Sequence, residues 1–327
     1  MANTLTLSDI HRARKRIASI IQRTPLVAST DLTTQTGKNV FLKLENLQVT
    51  GAFKLRGATN KILSLSQDER DRGVITVSSG NHGKAVAYVS SQLGVKATIC
   101  VAKTVPENKC QAIRNLGAEL VVAGENADEA MMYADELQAE RSMTMVHPFD
   151  DLEIIAGQGT IGLELFEDFP EMDTVIVPLS GGGLMSGIAF TVKSIMPEVH
   201  VVGVSMDRGP AMVESLKAGR VVEIIEEPTI ADALAGGLNT DNRYTFPMVQ
   251  QNVDETVLVS EEEIVEAMLF CLGQQHIVVE GGAAVGVAAL LRNKVNKLGN
   301  NVAVVISGAN VSFDTIRTIL DEGEKGL

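Results

Sequence analysis

Four short segments hold the residue types that chemistry on a small anion needs. In TGAFKLRGATN (50–60), Lys54 sits among small and apolar neighbours. A lysine held in such surroundings loses its charge by desolvation and then serves as amine nucleophile and as base. A lone surface lysine would instead lay its stem on the protein and keep its ammonium in water. SSGNHGKA (78–85) gathers Ser78, Ser79, Asn81 and His82 around Gly80. Hydroxyl, amide and imidazole groups with backbone donors suit a carboxylate; the competing role is N-capping of a helix over 82–93 by Ser79 or Asn81. VPLSGGGL (177–184) offers backbone amides of Ser180, Gly181, Gly182 and Gly183 that can approach an anion closely at the positive end of a helix dipole. It lacks the Gly-Lys-Ser/Thr of a Walker A loop, and Gly181, Gly183 and Gly187 are spaced one residue too widely for a dinucleotide fingerprint. On its own the segment reads equally well as a tight strand–helix turn. The fourth segment is SGAN (307–310).

Three of these segments directly follow β-rich runs. Strand-like runs lie at 40–45, 74–78, 97–101, 118–122, 173–178, 199–204 and 301–307, and helix-like stretches at 82–93, 107–116, 126–140, 152–167 and 184–195. Strands alternating with crossover helices give an α/β fold of open, mostly parallel sheets flanked by helices. In such sheets ligands sit at the carboxyl ends of strands, where strand order reverses. Residues 174–192 carry no charge and are long enough to cross a bilayer, but Pro178, Ser180, Ser186 and four glycines punctuate them. The segment therefore reads as strand, glycine loop and helix.

Composition narrows the function classes. The 327 residues carry 28 Lys and Arg against 41 Asp and Glu, a net charge of −13, which repels phosphate backbones and argues against nucleic acid as a partner. Cys100, Cys110 and Cys271 are odd in number and widely spaced, so a reducing cytoplasm is expected and no disulfide framework. The N-terminus has no apolar core or cleavage site of a secretory signal. The basic run Arg12, Arg14, Lys15 and Arg16 reads as a solvated helix face behind Ile10, Ile17, Ile20 and Ile21. His11, His147, His200 and His276 show no metal-ligand spacing, and no metal site is expected. Glu261, Glu262 and Glu263 after Ser260 read as a helix first turn.

Taken together and in this order, the segments resemble the fold-type II pyridoxal-phosphate enzymes, in the branch of threonine/serine dehydratases and serine racemase. The resemblance runs from RTPL (23–26) through TGAFKLRGATNK, SSGNHGKA, AGQGTIGLE (156–164), VPLSGGGL and EGGAAVG (280–286) to SGAN. It implies the tryptophan-synthase-β-like fold, with a large domain from 1–49 and 149–327 and a small domain from 50–148. It implies pyridoxal 5'-phosphate as cofactor, attached through Lys54. Phe53 would pack beside its ring, Asn81 would bond the ring hydroxyl, and Ser307 would face the ring nitrogen. Ser180, Gly181, Gly182, Gly183 and Leu184 would bind the phosphate, and Glu280 belongs to a further cofactor motif. Ser78, Ser79, Asn81 and His82 would hold the substrate carboxylate.

The implied reaction is α,β-elimination from a β-hydroxy amino acid such as L-threonine or L-serine. Lys54 removes the α-proton, the β-hydroxyl leaves, and the product hydrolyses to a 2-oxo acid and ammonia. A hydroxyl at Ser307 makes the ring a weaker electron sink than a carboxylate would, which favours prompt elimination. Alternatives stay open. In racemases a serine at the position of Ser79 reprotonates the opposite face of the α-carbon. The stretch SMDRGPAM (205–212) is similar to hydroxyaspartate and hydroxyectoine-linked dehydratases, for which Arg208 or Arg243 would meet a second carboxylate. Acidic cation ligands of the racemase branch align with Ser205 and Ala211. A homodimer without a membrane or nucleic-acid partner is the family default. With 17 residues after SGAN, no separate C-terminal regulatory domain is expected.

Overall fold

A computed structural model describes residues 4–325, with side chains to residue 321. Its strands are β1 (Leu26–Ala28), β2 (Asn39–Leu44), β3 (Val74–Val77), β4 (Ala97–Val101), β5 (Glu119–Val122), β6 (Thr144–Met145), β7 (Thr174–Pro178), β8 (His200–Met206), β9 (Glu255–Val259) and β10 (Asn301–Ile306). They form a four-stranded sheet ordered β5-β4-β3-β6 and a six-stranded sheet ordered β1-β2-β10-β7-β8-β9. Every pairing is parallel except β1 with β2. The two open, mostly parallel sheets expected from the sequence are therefore present. The three short strands β1, β6 and β9 are additions. Residues 174–192 form β7, a loop and the helix Gly183–Ile195, and no helix among the described residues is long and apolar enough to cross a membrane.

The chain divides into two compact units. The smaller holds the described residues up to Gln22 and Lys54–Gln158; the larger holds Arg23–Phe53 and the described chain from Gly159 onward. These boundaries differ from those drawn on the sequence, which gave residues 1–49 to the large body. The reason is packing of the helix Leu7–Ile17 on the helix Lys54–Ser64. Arg16 donates from Nη1 to Asn60 Oδ1 and to Glu153 Oε2, each at 2.7 Å.

Strand order reverses once in each sheet, and the chemistry-bearing loops sit there. In the smaller unit β4 and β5 lie on one side of β3 and β6 on the other, so the switch falls at β3. The Ser78–His82 segment leaves the carboxyl end of β3. In the larger unit β8 and β9 extend from β7 in one direction, with β10 and β2 in the other. Ser180–Gly183 follows β7 and Ser307 follows β10. Each reversal opens a crevice because the two helices that follow neighbouring strands cover opposite faces.

Small residues let helices approach closely. Helix Gly281–Leu291 is buried from Gly281 to Leu290. A Cβ at Gly286 would stand 2.8 Å from Val304 Cγ1 on β10 and 3.2 Å from Ile176 Cγ2 on β7. In the smaller unit, a Cβ at Gly157 in helix Leu152–Asp168 would lie 2.7 Å from the Arg56 carbonyl oxygen and from Gly57 Cα. Both neighbours are backbone, which cannot rotate away. Gly157 thus fixes the crossing of this helix on the one that begins at Lys54. Gly157→Ala gains about 1 kcal/mol of helix propensity, yet should destabilise the protein by about 1–3 kcal/mol through overpacking. Urea unfolding checks this; a stabilised variant would show that the crossing is looser than described.

Candidate active site

The smaller unit places Lys54 as the first residue of the helix Lys54–Ser64. Its Nζ donates to the Pro148 carbonyl at 2.6 Å. Two further bonds hold this helix to the start of the helix Leu152–Asp168: Lys61 Nζ pairs with Asp151 Oδ2 at 2.6 Å, and Asn60 Nδ2 donates to the Glu153 carbonyl at 2.7 Å. The segment VHPFDD (146–151) thus presents a carbonyl to the lysine, and the sequence reading passed over it. Its visible signals are Pro148, which keeps His147 extended, and Asp151, whose Oδ1 accepts the Glu153 and Ile154 amides as an N-cap. His147 Nδ1 accepts the amides of Phe149 and Asp150 at 3.2 and 2.8 Å, which closes the turn.

The loop after β3 runs into the helix Asn81–Leu93, whose N-cap is Gly80 with no side-chain cap bond. Capping by Ser79 or Asn81 therefore does not occur: the helix begins one residue before the expected 82, and Asn81 is already inside it. Ser78 Oγ accepts the Gly80 amide at 3.3 Å. The first-turn amides of this helix lack intrahelical partners. Gly83 is indispensable here, since a Cβ would stand 2.1 Å from the Ser78 carbonyl oxygen.

His82 differs from its three neighbours. It is buried, and its Nε2 lies 2.8 Å from the Val146 carbonyl oxygen. A carbonyl only accepts, so Nε2 carries the proton, and Nδ1 is left bare and without a hydrogen-bond partner. What His82 can give a carboxylate is its backbone amide rather than its ring. Burial pushes its pKa down from 6.5 to about 3, with the Lys54 charge adding to the effect.

The larger unit assembles the second set of residues around two strand ends. Residues 51–53 pair with 307–309: Phe53 N donates to the Ser307 carbonyl at 3.0 Å, Ala309 N donates to the Gly51 carbonyl at 2.8 Å, and Ala52 bridges Gly308 in antiparallel fashion. Glu280 N donates to the Gly308 carbonyl at 3.1 Å, and Glu280 Oε2 accepts the Asn310 amide at 3.1 Å. A Cβ at Gly308 would meet Glu280 Oε1 at 2.4 Å, so a larger residue there would displace the Glu280 carboxylate. Phe53 and the buried Ser307 are thereby neighbours, with Lys54 one peptide bond further on.

After β7, Ser180 Oγ donates to the Leu234 carbonyl at 2.8 Å. Gly182 adopts φ +86° and is the N-cap of Gly183–Ile195, with no side-chain cap bond. A Cβ there would stand 2.7 Å from Met212 Cε and 3.0 Å from Thr245 Cβ. The result is a buried helix N-terminus to whose amides no side-chain hydrogen bond is made among the described residues. Arg208 donates to the Pro228 carbonyl at 2.7 Å and lies 4.0 Å from Glu261, so it is engaged locally; Arg243 is exposed. Ser205 is buried with Oγ 3.8 Å from Met206 Sδ, and Ala211 is buried.

The neutral His82 has a consequence for stability. Between pH 6.5 and about 3 the unfolded chain protonates this histidine and the folded chain does not. Its contribution is therefore intact above pH 6.5 and is lost as pH falls toward 3. His82→Gln should make stability fall less steeply between pH 6 and 4, by about 1.4 kcal/mol per pH unit. Urea unfolding at several pH values measures this; equal slopes would place a charged imidazole in the folded protein.

The description "Pyridoxal-phosphate dependent enzyme" attaches to a family model that matches residues 17–308. The chain is 46% identical to a "Putative threonine dehydratase" of Sinorhizobium fredii over 98% of this chain and 96% of that one. It is 45% identical to the "L-threonine ammonia-lyase" of Thermotoga maritima over 98% of this chain and 79% of that one. Maize serine racemase superposes with a TM-score of 0.92 at 32% identity, covering 99% of both chains. The residues present fit the cofactor this family carries. The amides behind Gly182 suit a phosphate, a hydroxyl stands at the end of β10, and an amine heads the helix that follows Phe53. By sequence and by fold, the chain belongs to the pyridoxal-phosphate dependent enzymes, and pyridoxal phosphate is its cofactor.

Proposed function

We propose that this enzyme is an ammonia-lyase that eliminates the β-hydroxyl of L-threonine or L-serine and yields a 2-oxo acid and ammonia. The observation that carries this reading is the pairing of 51–53 with 307–309, in which the Ser307 backbone meets Phe53, the residue before Lys54 in the chain. The names of the relatives, threonine dehydratase and L-threonine ammonia-lyase, support it over nearly the whole chain.

Lys54 would be the attachment point of the cofactor and the base that takes the α-proton on Nζ. It heads a helix, where the dipole disfavours a positive charge, and its Nζ donates to the Pro148 carbonyl. Pyridoxal phosphate, when bound, supplies the electron sink that makes the α-proton removable. Amides of Ser180, Gly181, Gly182, Gly183 and Leu184 would hold its phosphate. Phe53 and Asn81 would contact its ring, Ser307 would face the ring nitrogen, and Glu280 would brace Gly308 and Asn310 behind Ser307. The substrate carboxylate would be held by Ser78, Ser79, Asn81 and the His82 amide. Loss of the α-proton and of the β-hydroxyl removes one water. Hydrolysis of the released enamine consumes one, so the net change is loss of ammonia.

A racemase activity is a second reading, favoured by one observation. The helix cap falls on Gly80, so the Ser79 hydroxyl is not spent on capping and is available for proton transfer at the α-carbon. Hydroxyaspartate elimination is less well supplied, because Arg208 is engaged by Pro228 and Glu261. The reading also includes a homodimer in the cytoplasm.

One substrate panel tests both. With L-threonine and L-serine, wild type should release 2-oxo acid, and Lys54→Ala should lower the rate by about 10²–10⁴-fold or more. Retained turnover in Lys54→Ala would overturn the assignment. Chiral analysis of the remaining serine tests the second reading: D-serine formed by wild type and not by Ser79→Ala supports it, and its absence in both removes it.

A further inference from the structure

Within the acidic triplet, Glu263 completes the cap and pairs with Lys294, whereas Glu261 reaches across to the loop that holds Thr229 and Ile230. Glu261 opens the helix Glu261–Gly273, where Ser260 and Glu263 already complete a capping box. Its carboxylate is therefore not needed to cap the helix. Oε1 accepts the Thr229 hydroxyl at 2.5 Å, and Oε2 accepts the Ile230 amide at 2.7 Å. Thr229 Oγ1 in turn accepts the Ala231 amide at 3.0 Å. The strap is closed on its outer side by Arg208, which donates to the Pro228 carbonyl. It is closed underneath by Gly281, where a Cβ would stand 2.3 Å from the Ile230 carbonyl oxygen.

From this clamp the strap runs through one 3-10 turn, Asp232–Leu234, with Leu234 N donating to the Ala231 carbonyl at 2.7 Å. Leu234 is buried, and its carbonyl takes the Ser180 hydroxyl at 2.8 Å. Ser180 is the first residue of the Ser180–Gly183 loop. Gly182 in that loop has a positive φ and no spare volume, so the loop has little freedom once its first residue is fixed. A carboxylate on one helix thus sets, through two hydrogen bonds and a short turn, the carbonyl that aims the first residue of the loop.

We infer that Glu261 is a positioning residue for phosphate binding: it clamps Thr229–Ala231 and thereby holds the Leu234 carbonyl that orients Ser180. This rests on the reading of residues 180–184, the loop that Ser180 opens, as the phosphate site. It assigns Glu261 no contact with substrate or cofactor.

The test compares binding of pyridoxal phosphate and of pyridoxal to full-length apoprotein by visible absorbance and fluorescence. Glu261→Gln keeps the size of the side chain but cannot accept both bonds. Thr229→Val removes the hydroxyl and serves if the first variant folds poorly. Each should weaken pyridoxal phosphate by roughly tenfold, as expected for loss of a charged acceptor, and leave pyridoxal within about twofold. Ser180→Ala should weaken pyridoxal phosphate similarly, and Glu261→Gln added to it should cost less than about twofold more, the signature of residues acting in one chain. Unchanged affinity in both strap variants, equal loss for pyridoxal, or losses that multiply in the double variant would overturn the inference. If wild type holds pyridoxal as tightly as pyridoxal phosphate, the phosphate-loop reading itself has failed, and the inference falls with it. If Ser180→Ala weakens pyridoxal phosphate selectively and the strap variants do not, only the role of Glu261 is lost.

Discussion

Two backbone hydrogen bonds organise the larger unit around its chemistry: Phe53 N to the Ser307 carbonyl and Ala309 N to the Gly51 carbonyl. They tie the segment that ends at Phe53 to the carboxyl end of β10, the point where the six-stranded sheet reverses its strand order. Side-chain identity follows from this pairing. The absence of a Cβ at Gly308 leaves room for the Glu280 carboxylate, which accepts the Asn310 amide behind the turn. Lys54 comes next in the chain, with consecutive Cα atoms about 3.8 Å apart. The backbone that leads into Lys54 is thus tied to the strand end that carries Ser307.

An acidic protein that binds anionic ligands must do so by local fields. The −13 charge disfavours any anion at long range, whereas unclaimed helix amides act only within the first turn. Two helix starts lie in the chemistry-bearing loops, at Asn81 and at Gly183, each capped by a glycine with no side-chain cap bond. In both, a residue that would normally cap is directed elsewhere. Ser78 accepts the Gly80 amide, and Ser180 donates to Leu234. His82 follows the same economy: its ring proton is committed to Val146, and burial keeps the imidazole neutral.

Much of this was legible in the residues. The seven β-rich runs correspond to β2, β3, β4, β5, β7, β8 and β10 within one or two residues, because buried parallel strands read as continuous apolar runs. The loops were legible because glycine marks positions where backbone must come close. What stayed hidden depends on backbone partners far along the chain. Strands β1, β6 and β9 are three, two and five residues long and exist only because an edge is available. The Pro148 carbonyl that meets Lys54 and the Leu234 carbonyl that meets Ser180 carry no side-chain signature at all. The cap of Asn81–Leu93 was misplaced because Ser79, Gly80 and Asn81 are all acceptable caps by type, and the choice of Gly80 is set by the loop. The clamp at Glu261 was masked by its neighbours, since three glutamates after a serine satisfy the helix-start pattern by themselves.

The measurement that bears most directly on the account is the site of covalent attachment of the cofactor. Borohydride reduction of the holoprotein followed by peptide mapping should abolish the visible absorbance band and leave the pyridoxyl group on the peptide that contains Lys54. A label on another lysine such as Lys84 or Lys61, or no label with the band retained, would contradict it.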